Sequence, residues 1–359
     1  MKKKTVFTVL QILVTVGILM WLFHDREKRE GFWNAVVHAN LWWVVAGIAA
    51  YGIVEVLGAT RWQILLRVQG IYVPWYRLGA LLMIGILFNQ FMPGGTGGDV
   101  VKIFYLLKET PNKKTQALLA VLIDRLVGLV GLIFVAGAVI ILKWNWLTQG
   151  KPIPHFDGNV KLWLSQIPSS TVDLYVLLAV LGATLLGIIT SFVITGFGLA
   201  HKLPARFPKR DVFVDLSIAY NLYGRAWKAT LLSIILSLCV HLFSFLLFYC
   251  AALSINLPVR IPLLDFFAIM PIVNTIAALP ISVGGAGVRE GLFQTMLNTL
   301  CGVSKGDALA ISLLGWGMVA FWGLVGGVIY LLYKPSEHAK IKDMRDEVGK
   351  LEHDIAEGK

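Results

Sequence analysis

The sequence predicts an all-α polytopic membrane protein with six spanning helices and two re-entrant hairpins, arranged as an inverted-topology repeat. Of its 359 residues, 57% are apolar and 15% are charged, whereas about a quarter of a soluble domain is charged. Six apolar segments reach the roughly 20 residues that cross a bilayer. Two further apolar runs end in polar, glycine-rich breaks, which a membrane tolerates only inside protein or beside a water-filled cavity.

The six predicted spans are 5–23, 41–60, 117–142, 172–199, 230–254 and 308–333. The first follows Met1 and three lysines, as in a signal sequence. Its apolar run is long and no cleavage site with small residues follows, so we expect a retained membrane anchor.

Two shorter apolar runs, 78–92 and 264–283, lead into the breaks. Residues 89–102 are NQFMPGGTGGDVVK, and residues 274–291 are NTIAALPISVGGAGVREG. Each break places an asparagine, a proline, a Gly-Gly pair and a carboxylate where lipid tails would be expected. Such paired interruptions are the best sequence indication of a transporter's binding site.

The distribution of Lys and Arg favours hairpins over two further spans. If both runs return to the side from which they enter, the predicted cytoplasmic segments hold 22 basic residues and the outer segments hold 9. If both runs span, segment 100–116 with its four lysines lies outside, against the positive-inside rule. We therefore expect a multi-pass protein of the cytoplasmic membrane with both termini in the cytoplasm. The net charge of +11 then reflects cytoplasmic loops and an affinity for anionic headgroups.

The hairpins give the two halves, about 1–142 and 172–333, the same order of elements in opposite orientation. IYVP ending at Pro74 matches INLP ending at Pro258, and the asparagine of each break follows 15 and 16 residues later. An inverted repeat of this kind is typical of transporters. We divide the chain into this transmembrane domain, 1–333, and a tail. The tail, 334–359, has apolar residues at 3-4-3-4 spacing, which predicts an amphipathic cytosolic helix.

The breaks carry the residues that we expect to bind a substrate. A helix that begins after each Gly-Gly pair directs free N–H groups and a positive dipole end into the membrane, which suits an anion. Under the alternative interpretation, the carboxylates only cap these helices and the glycines only permit tight turns. The candidate substrate-binding residues are Asn89, Gly94, Gly95, Gly97, Asp99, Arg125, Asn274, Gly284, Gly285, Gly287, Arg289 and Glu290.

Charged residues inside predicted spans are expensive and usually functional. Glu55 and Asp124 are candidates for an ion pair or for coupling to an ion, or for a buried pair that only fixes helix packing. Arg125 is expected to bind a lipid phosphate or to pair with Glu55 or Asp99. Arg61 lies at interfacial depth, where its side chain is expected to snorkel to water.

The sequence predicts neither an enzyme nor a cofactor or metal site. It has no P-loop, H-E-x-x-H, G-x-S-x-G or C-x-x-C pattern. The three cysteines are interpreted as packing residues, and the single intramembrane histidine, His241, as a packed or hydrogen-bonded core residue.

Four motifs together resemble one family: RW-x-x-LL from Arg61, N-x-x-x-P-GG-x-GGD-x-x-K from Asn89, DR-x-x-G-L from Asp124, and P-x-S-x-GG-x-G-x-RE-G from Pro280. In this order they resemble the lysylphosphatidylglycerol synthase transmembrane region, a flippase-like domain, over nearly all of residues 5–333. The resemblance implies a polytopic domain of the bacterial or archaeal cytoplasmic membrane that moves lipids between leaflets.

Some members of that family are fused to a cytosolic aminoacyl transferase. Only 26 residues follow Tyr333 here, so we expect no lysyl transfer and do not carry over the substrate of the fused members.

Residues and resemblance together predict a lipid translocase for a phospholipid, a modified phospholipid or a lipid-linked headgroup. The expected partners are anionic or phosphate-bearing membrane lipids, and no nucleic acid. The main alternative is a non-transporting scaffold that recruits a lipid-modifying or glycosyl-transferring enzyme, or a second copy, through its tail. An intramembrane enzyme is a third, less supported, alternative.

Overall fold

A computed structural model describes residues 26–91, 97–110, 113–148, 221–277 and 285–332, with isolated positions between 178 and 218. Within these residues the regular secondary structure is helical and no strand occurs, in agreement with the predicted all-α class. In chain order the helices are α1 (Arg26–Val37), α2 (Leu41–Val68), α3 (Trp75–Phe91), α4 (Gly97–Glu109), α5 (Lys114–Thr148), α6 (Trp227–Ser254), α7 (Leu263–Ala277), α8 (Val288–Cys301) and α9 (Lys305–Leu332).

Four of the described helices, α2, α5, α6 and α9, are long and apolar enough to cross a membrane. They coincide with four of the six predicted spans. The predicted span 5–23 and the tail 334–359 lie outside the described residues, and of 172–199 only isolated positions are described. The chain is therefore a multi-pass membrane protein.

The two short helices that flank the first break, α3 and α4, pack against each other. Their far ends are joined by an ion pair of 2.6 Å between Arg77 Nη1 and Glu109 Oε2. Just after α4, Lys113 Nζ donates a hydrogen bond of 2.7 Å to the carbonyl of Gly70, just after α2. The chain thus enters and leaves this helix pair at the same end of α2. We call α3 and α4 the first hairpin.

The first hairpin closes on a contact between two glycine backbones. A Cβ atom added to Gly98 would lie 1.9 Å from the carbonyl oxygen of Gly85. No side chain fits there, so glycine at position 98 is required for α4 to approach α3 this closely.

The helices that flank the second break, α7 and α8, also contact each other and form the second hairpin. Asp265 near the start of α7 interacts electrostatically with Cys301 at the end of α8, which places the two ends together. Gly285 adopts a φ of +76°, and an added Cβ would lie 2.9 Å from the carbonyl oxygen of Ala277. This hairpin, like the first, thus has a glycine at its closest crossing.

The two longest-paired helices, α2 and α6, run antiparallel. The N–H of Asn40 donates to the Ser254 carbonyl at 2.6 Å beside one end of α2. Toward the other end, the Tyr223 hydroxyl donates to the Leu65 carbonyl at 3.0 Å. Helix α2 therefore begins where α6 ends.

The main helix contacts are related by an exchange of the two halves. Helix α5 contacts α2, α4, α6 and α7, whereas α9 contacts α6, α8, α2 and α3. Replacing α2 by α6, α3 by α7, α4 by α8 and α5 by α9 converts the first set into the second. The last helix of each half therefore packs against the first arm of the other half's hairpin.

Glycines allow α9 to pack closely against both halves. A Cβ atom added to Gly326 would lie 2.0 Å from the Met83 carbonyl oxygen on α3, and one added to Gly315 would lie 2.3 Å from the Phe248 ring on α6. The core of the second half is built on Phe245, Phe266 and Phe293, whose side chains are fully buried.

Candidate functional site

The tip of the first hairpin is braced by Asn89. Its Oδ1 accepts a hydrogen bond of 2.8 Å from the backbone N–H of Gly98 and so satisfies one of the free N–H groups in the first turn of α4. Helix α4 begins at Gly97, as the capping pattern predicted, with Asp99 in its first turn. The predicted site residues Gly94 and Gly95 lie outside the described residues.

Asp99 forms an ion pair with Arg125 of α5 through Arg125 Nη2. This is one of the pairings that the sequence allowed for Arg125. The Asp99 side chain is 26% exposed and the Arg125 side chain is 46% exposed. A guanidinium has five N–H donors, and one carboxylate does not occupy them all. Arg125 therefore presents an accessible positive charge beside the first break.

The corresponding charged pair of the second hairpin is buried and fully bonded. Glu290 Oε2 accepts from the backbone N–H of Gly287 at 2.5 Å, while Oε1 accepts from Arg289 Nη2 at 2.7 Å and from Ser312 Oγ at 3.1 Å. The Arg289 and Glu290 side chains are 12% and 1% exposed. These contacts favour the capping interpretation of Glu290, with an additional bond to α9 that sequence reasoning missed.

The remaining site residues of the second break are only partly described. Gly285 and Gly287 have φ angles of +76° and +83°, which suit glycine, and Gly284 lies outside the described residues. Asn274 is partly buried on α7. Within the described part of the chain, no hydrogen bond or ion pair joins the Asp99–Arg125 pair to the Arg289–Glu290 pair. The structure therefore groups the predicted residues into two separate clusters.

Buried polar atoms without partners occur at equivalent positions of the two hairpins. Gln90 Oε1 follows Asn89 directly, and Thr275 Oγ1 follows Asn274 directly. A third such atom, Gln294 Nε2, lies on α8. Native proteins leave few buried polar groups unpaired, so each such atom calls for a partner. Sequence reasoning passed over all three, although two of them adjoin predicted residues.

A cluster of buried charges lies beside the first hairpin. Arg61 holds Asp124 with two hydrogen bonds, from Nε to Oδ1 at 2.9 Å and from Nη2 to Oδ2 at 3.3 Å. Lys102 Nζ lies 3.6 Å from Asp124 Oδ2 and 3.9 Å from the centroid of the Trp62 ring. Arg61 Nη1 also donates to Ser237 Oγ of α6 at 3.1 Å. These contacts join α2, α4, α5 and α6.

Two expectations about this cluster were wrong. Arg61 does not snorkel to water, because Asp124 and Ser237 hold it with only 13% of its side chain exposed. Lys102, which was counted among the cytoplasmic loop charges, is buried between Trp62 and Asp124. Their signals were present in the sequence, since both positions belong to the motifs noted above, but neither pairing was predicted.

Glu55 lies one helical turn after Tyr51 on α2, and its carboxyl interacts with Tyr51 and with Lys102. The alternative pairing of Glu55 with Arg125 is therefore not formed. Asp124, the other candidate for ion pairing, is paired with Arg61. We call Glu55, Arg61, Lys102 and Asp124 the charge cluster.

His241 behaves as the sequence predicted. Its Nε2 hydrogen-bonds the Gly128 carbonyl of α5 at 2.9 Å, so it joins α6 to α5. In the part of the chain that the structure describes, no group of three or more His, Cys, Asp or Glu side chains is placed to hold a metal ion.

Long apolar helices, two broken helical hairpins and a buried charge cluster define a polytopic integral membrane protein. The chain belongs to the family described as the lysylphosphatidylglycerol synthase TM region, whose family model matches residues 8–326. This confirms the resemblance that the motifs indicated and relates the protein to membrane lipids. A comparison with curated proteins gives no match.

Proposed function

We propose that this protein is a lipid translocase that moves a phospholipid, a modified phospholipid or a lipid-linked headgroup across the cytoplasmic membrane. The observation that carries the proposal is the exchange relation between helices α2–α5 and α6–α9. With α2 antiparallel to α6, that relation supports an inverted repeat of six spans in all, with both termini in the cytoplasm. Such repeats transport by rocking one half against the other around a site near the bilayer midplane.

Both hairpins are proposed to be re-entrant. The Arg77–Glu109 ion pair and the Asp265–Cys301 interaction support this, because each hairpin has both of its ends together. The tip of α3 also supports it. A Cβ atom added to Gly323, well inside the long helix α9, would lie 3.7 Å from Leu87 and Gln90. A tip beside the interior of a spanning helix lies within the membrane rather than at its surface.

The headgroup is proposed to bind between the two tips. Arg125 is the accessible cation there, and it suits a phosphate because a guanidinium binds phosphate oxygens through two parallel hydrogen bonds. The unpaired Gln90 Oε1 and Thr275 Oγ1 are available for further polar contacts, Gln90 as an acceptor and Thr275 as a donor or acceptor. The N-termini of α4 and α8 add partial positive charge.

The residues at the tips are proposed to have unequal roles. Asp99 competes with the substrate for Arg125 and releases it when a phosphate binds. Arg289 and Glu290 instead hold the second hairpin to α9 through Ser312, which supports a structural role. Asn89 and the tip glycines set the shape of the site. The lipid is proposed to cross unchanged, without cofactor or metal.

Reconstitution into lipid vesicles tests this function. Purified protein should accelerate the transbilayer movement of at least one lipid from its native membrane, with the lipid recovered unchanged by mass spectrometry. Arg125→Ala should lower the rate at least about tenfold, the effect of losing one charge-assisted contact of about 1.5–3 kcal/mol. Arg67→Ala is the matched control, since Arg67 is exposed on α2 and should leave the rate unchanged. Wild-type protein that moves no native lipid contradicts the proposal.

A further inference from the structure

We propose that Lys102 latches the first hairpin to the helix bundle, and that Glu55 takes up one proton each time this latch opens. The inference rests on the proposed function, because opening of the hairpin is taken to be a step of the transport cycle. It goes further by assigning a coupling ion and the residue that carries it.

The argument begins with the charge balance of the cluster. Arg61 and Lys102 contribute two positive charges, and Glu55 and Asp124 contribute two negative charges. The Lys102 and Asp124 side chains are only 7% and 8% exposed. Charges this deeply buried are tolerated when they are paired, and removing one partner is strongly unfavourable.

The four charges do not belong to one rigid element. Glu55 and Arg61 lie on α2 and Asp124 lies on α5, but Lys102 lies on α4, an arm of the first hairpin. Any movement of α4 away from α2 withdraws the Lys102 ammonium from the Trp62 ring and from Asp124. What remains is one guanidinium facing two carboxylates.

Glu55 is the carboxylate left without a partner. Arg61 is already committed to Asp124 by two hydrogen bonds and to Ser237 by a third. Besides Lys102, the titratable neighbour that interacts with Glu55 is Tyr51, a neutral hydroxyl on the same helix. A proton from water that binds the Glu55 carboxylate restores the charge balance, and it is released when Lys102 returns.

Other charged groups on the helices around α2 are bonded elsewhere or lie at helix ends. On α5, Arg125 is paired with Asp99, and on α6 the His241 ring bonds the Gly128 carbonyl. On α3 the charged residue is Arg77, which is paired with Glu109 at the far end of the hairpin. Helix α9 carries no charged residue after its first turn, and on α6 the other charge is at the start of the helix.

The latch predicts a direction for the effect of pH. A proton on Glu55 removes its attraction for the Lys102 ammonium, so acidification favours the open hairpin. With one proton taken up, the ratio of open to latched protein changes by up to about tenfold per pH unit.

Spin labels measure this opening without any transport assay. Labels on Arg67→Cys at the end of α2 and Lys108→Cys at the end of α4, both exposed positions, report the separation of the hairpin from α2 by double electron–electron resonance. The native cysteines are first replaced by serine at positions 239, 250 and 301. In vesicles, the longer-distance population should grow as the pH falls.

Three variants make the test specific. Glu55→Gln should favour the open hairpin and remove the response to pH, whereas Glu55→Asp should retain the response with a shifted midpoint. Glu109→Gln removes a carboxylate from the same hairpin at its exposed end and should leave the response unchanged. A distance distribution that ignores pH in the otherwise unmodified protein, or one that responds equally in Glu55→Gln, overturns the inference.

Lipid movement measured in the same vesicles separates the two proposals. A hairpin that opens with pH in protein that moves no lipid overturns the translocase proposal and supports the latch. Lipid movement with a hairpin that does not respond to pH overturns the latch alone.

Discussion

Glu290 and Ser312 are joined by a hydrogen bond of 3.1 Å that ties the start of α8 to α9. The same carboxylate also accepts bonds from Gly287 and Arg289. A residue that looked on sequence grounds like a headgroup contact is thus the centre of a buried structural network. The first hairpin, with its half-exposed Arg125, differs in this respect.

We expect Glu290→Ala to destabilise the protein by about 3–5 kcal/mol, because it leaves the Arg289 guanidinium buried without its partner. Thermal unfolding in detergent measures the effect. The control is Glu109→Ala, which breaks a surface ion pair and should cost at most about 1 kcal/mol. Equal losses in the two variants contradict a structural role for the buried network.

Gly98→Ala should prevent the first hairpin from closing. Its methyl group would lie 1.9 Å from the Gly85 carbonyl oxygen, so α3 and α4 must separate. We expect a loss of about 1–3 kcal/mol in stability, as for overpacking in a core, together with loss of lipid movement. Gly79→Ala on α3 is the matched control, since an added Cβ there meets no atom within 4 Å. A Gly98→Ala protein as stable as this control would show that the close crossing is dispensable.

Asp124→Asn should destabilise the protein more than any other single change in the charge cluster, because it leaves Arg61 and Lys102 with one remaining acid. We expect a loss of about 3–5 kcal/mol by chemical unfolding. The double variant Arg61→Gln/Asp124→Asn should recover part of this loss, and a double-mutant cycle isolates the coupling energy of the pair. Strictly additive effects of the two changes contradict the pairing.

The starts of the two hairpin helices were predictable from local chemistry. Thr96 and Asp99 have capping spacing, and α4 begins at Gly97, while α8 begins at Val288 as expected after Gly-Gly. The four long helices followed from apolar length alone. Capping and burial of this kind depend on residues within a few positions of each other, so one sequence suffices to find them.

The pairings of the charge cluster were not predictable in the same way. Arg61 and Asp124 are 63 positions apart, and Arg61 and Ser237 are 176 apart. Depth in the membrane suggested that Arg61 reaches water, and position after the break suggested that Lys102 lies in a loop. Both inferences used one residue at a time, whereas the partners that bury these charges are brought together only by helix packing.

The contacts of α5 and α9 mean that the two halves are interlocked rather than placed side by side. Helix α9 of the second half covers the first hairpin through Gly326 and Met83, and α5 of the first half contacts α7 of the second hairpin, where Lys143 pairs with Asp265. Each half supplies the wall against which the other half's hairpin closes. Either half produced alone would expose its hairpin, so the smallest unit able to fold is the pair.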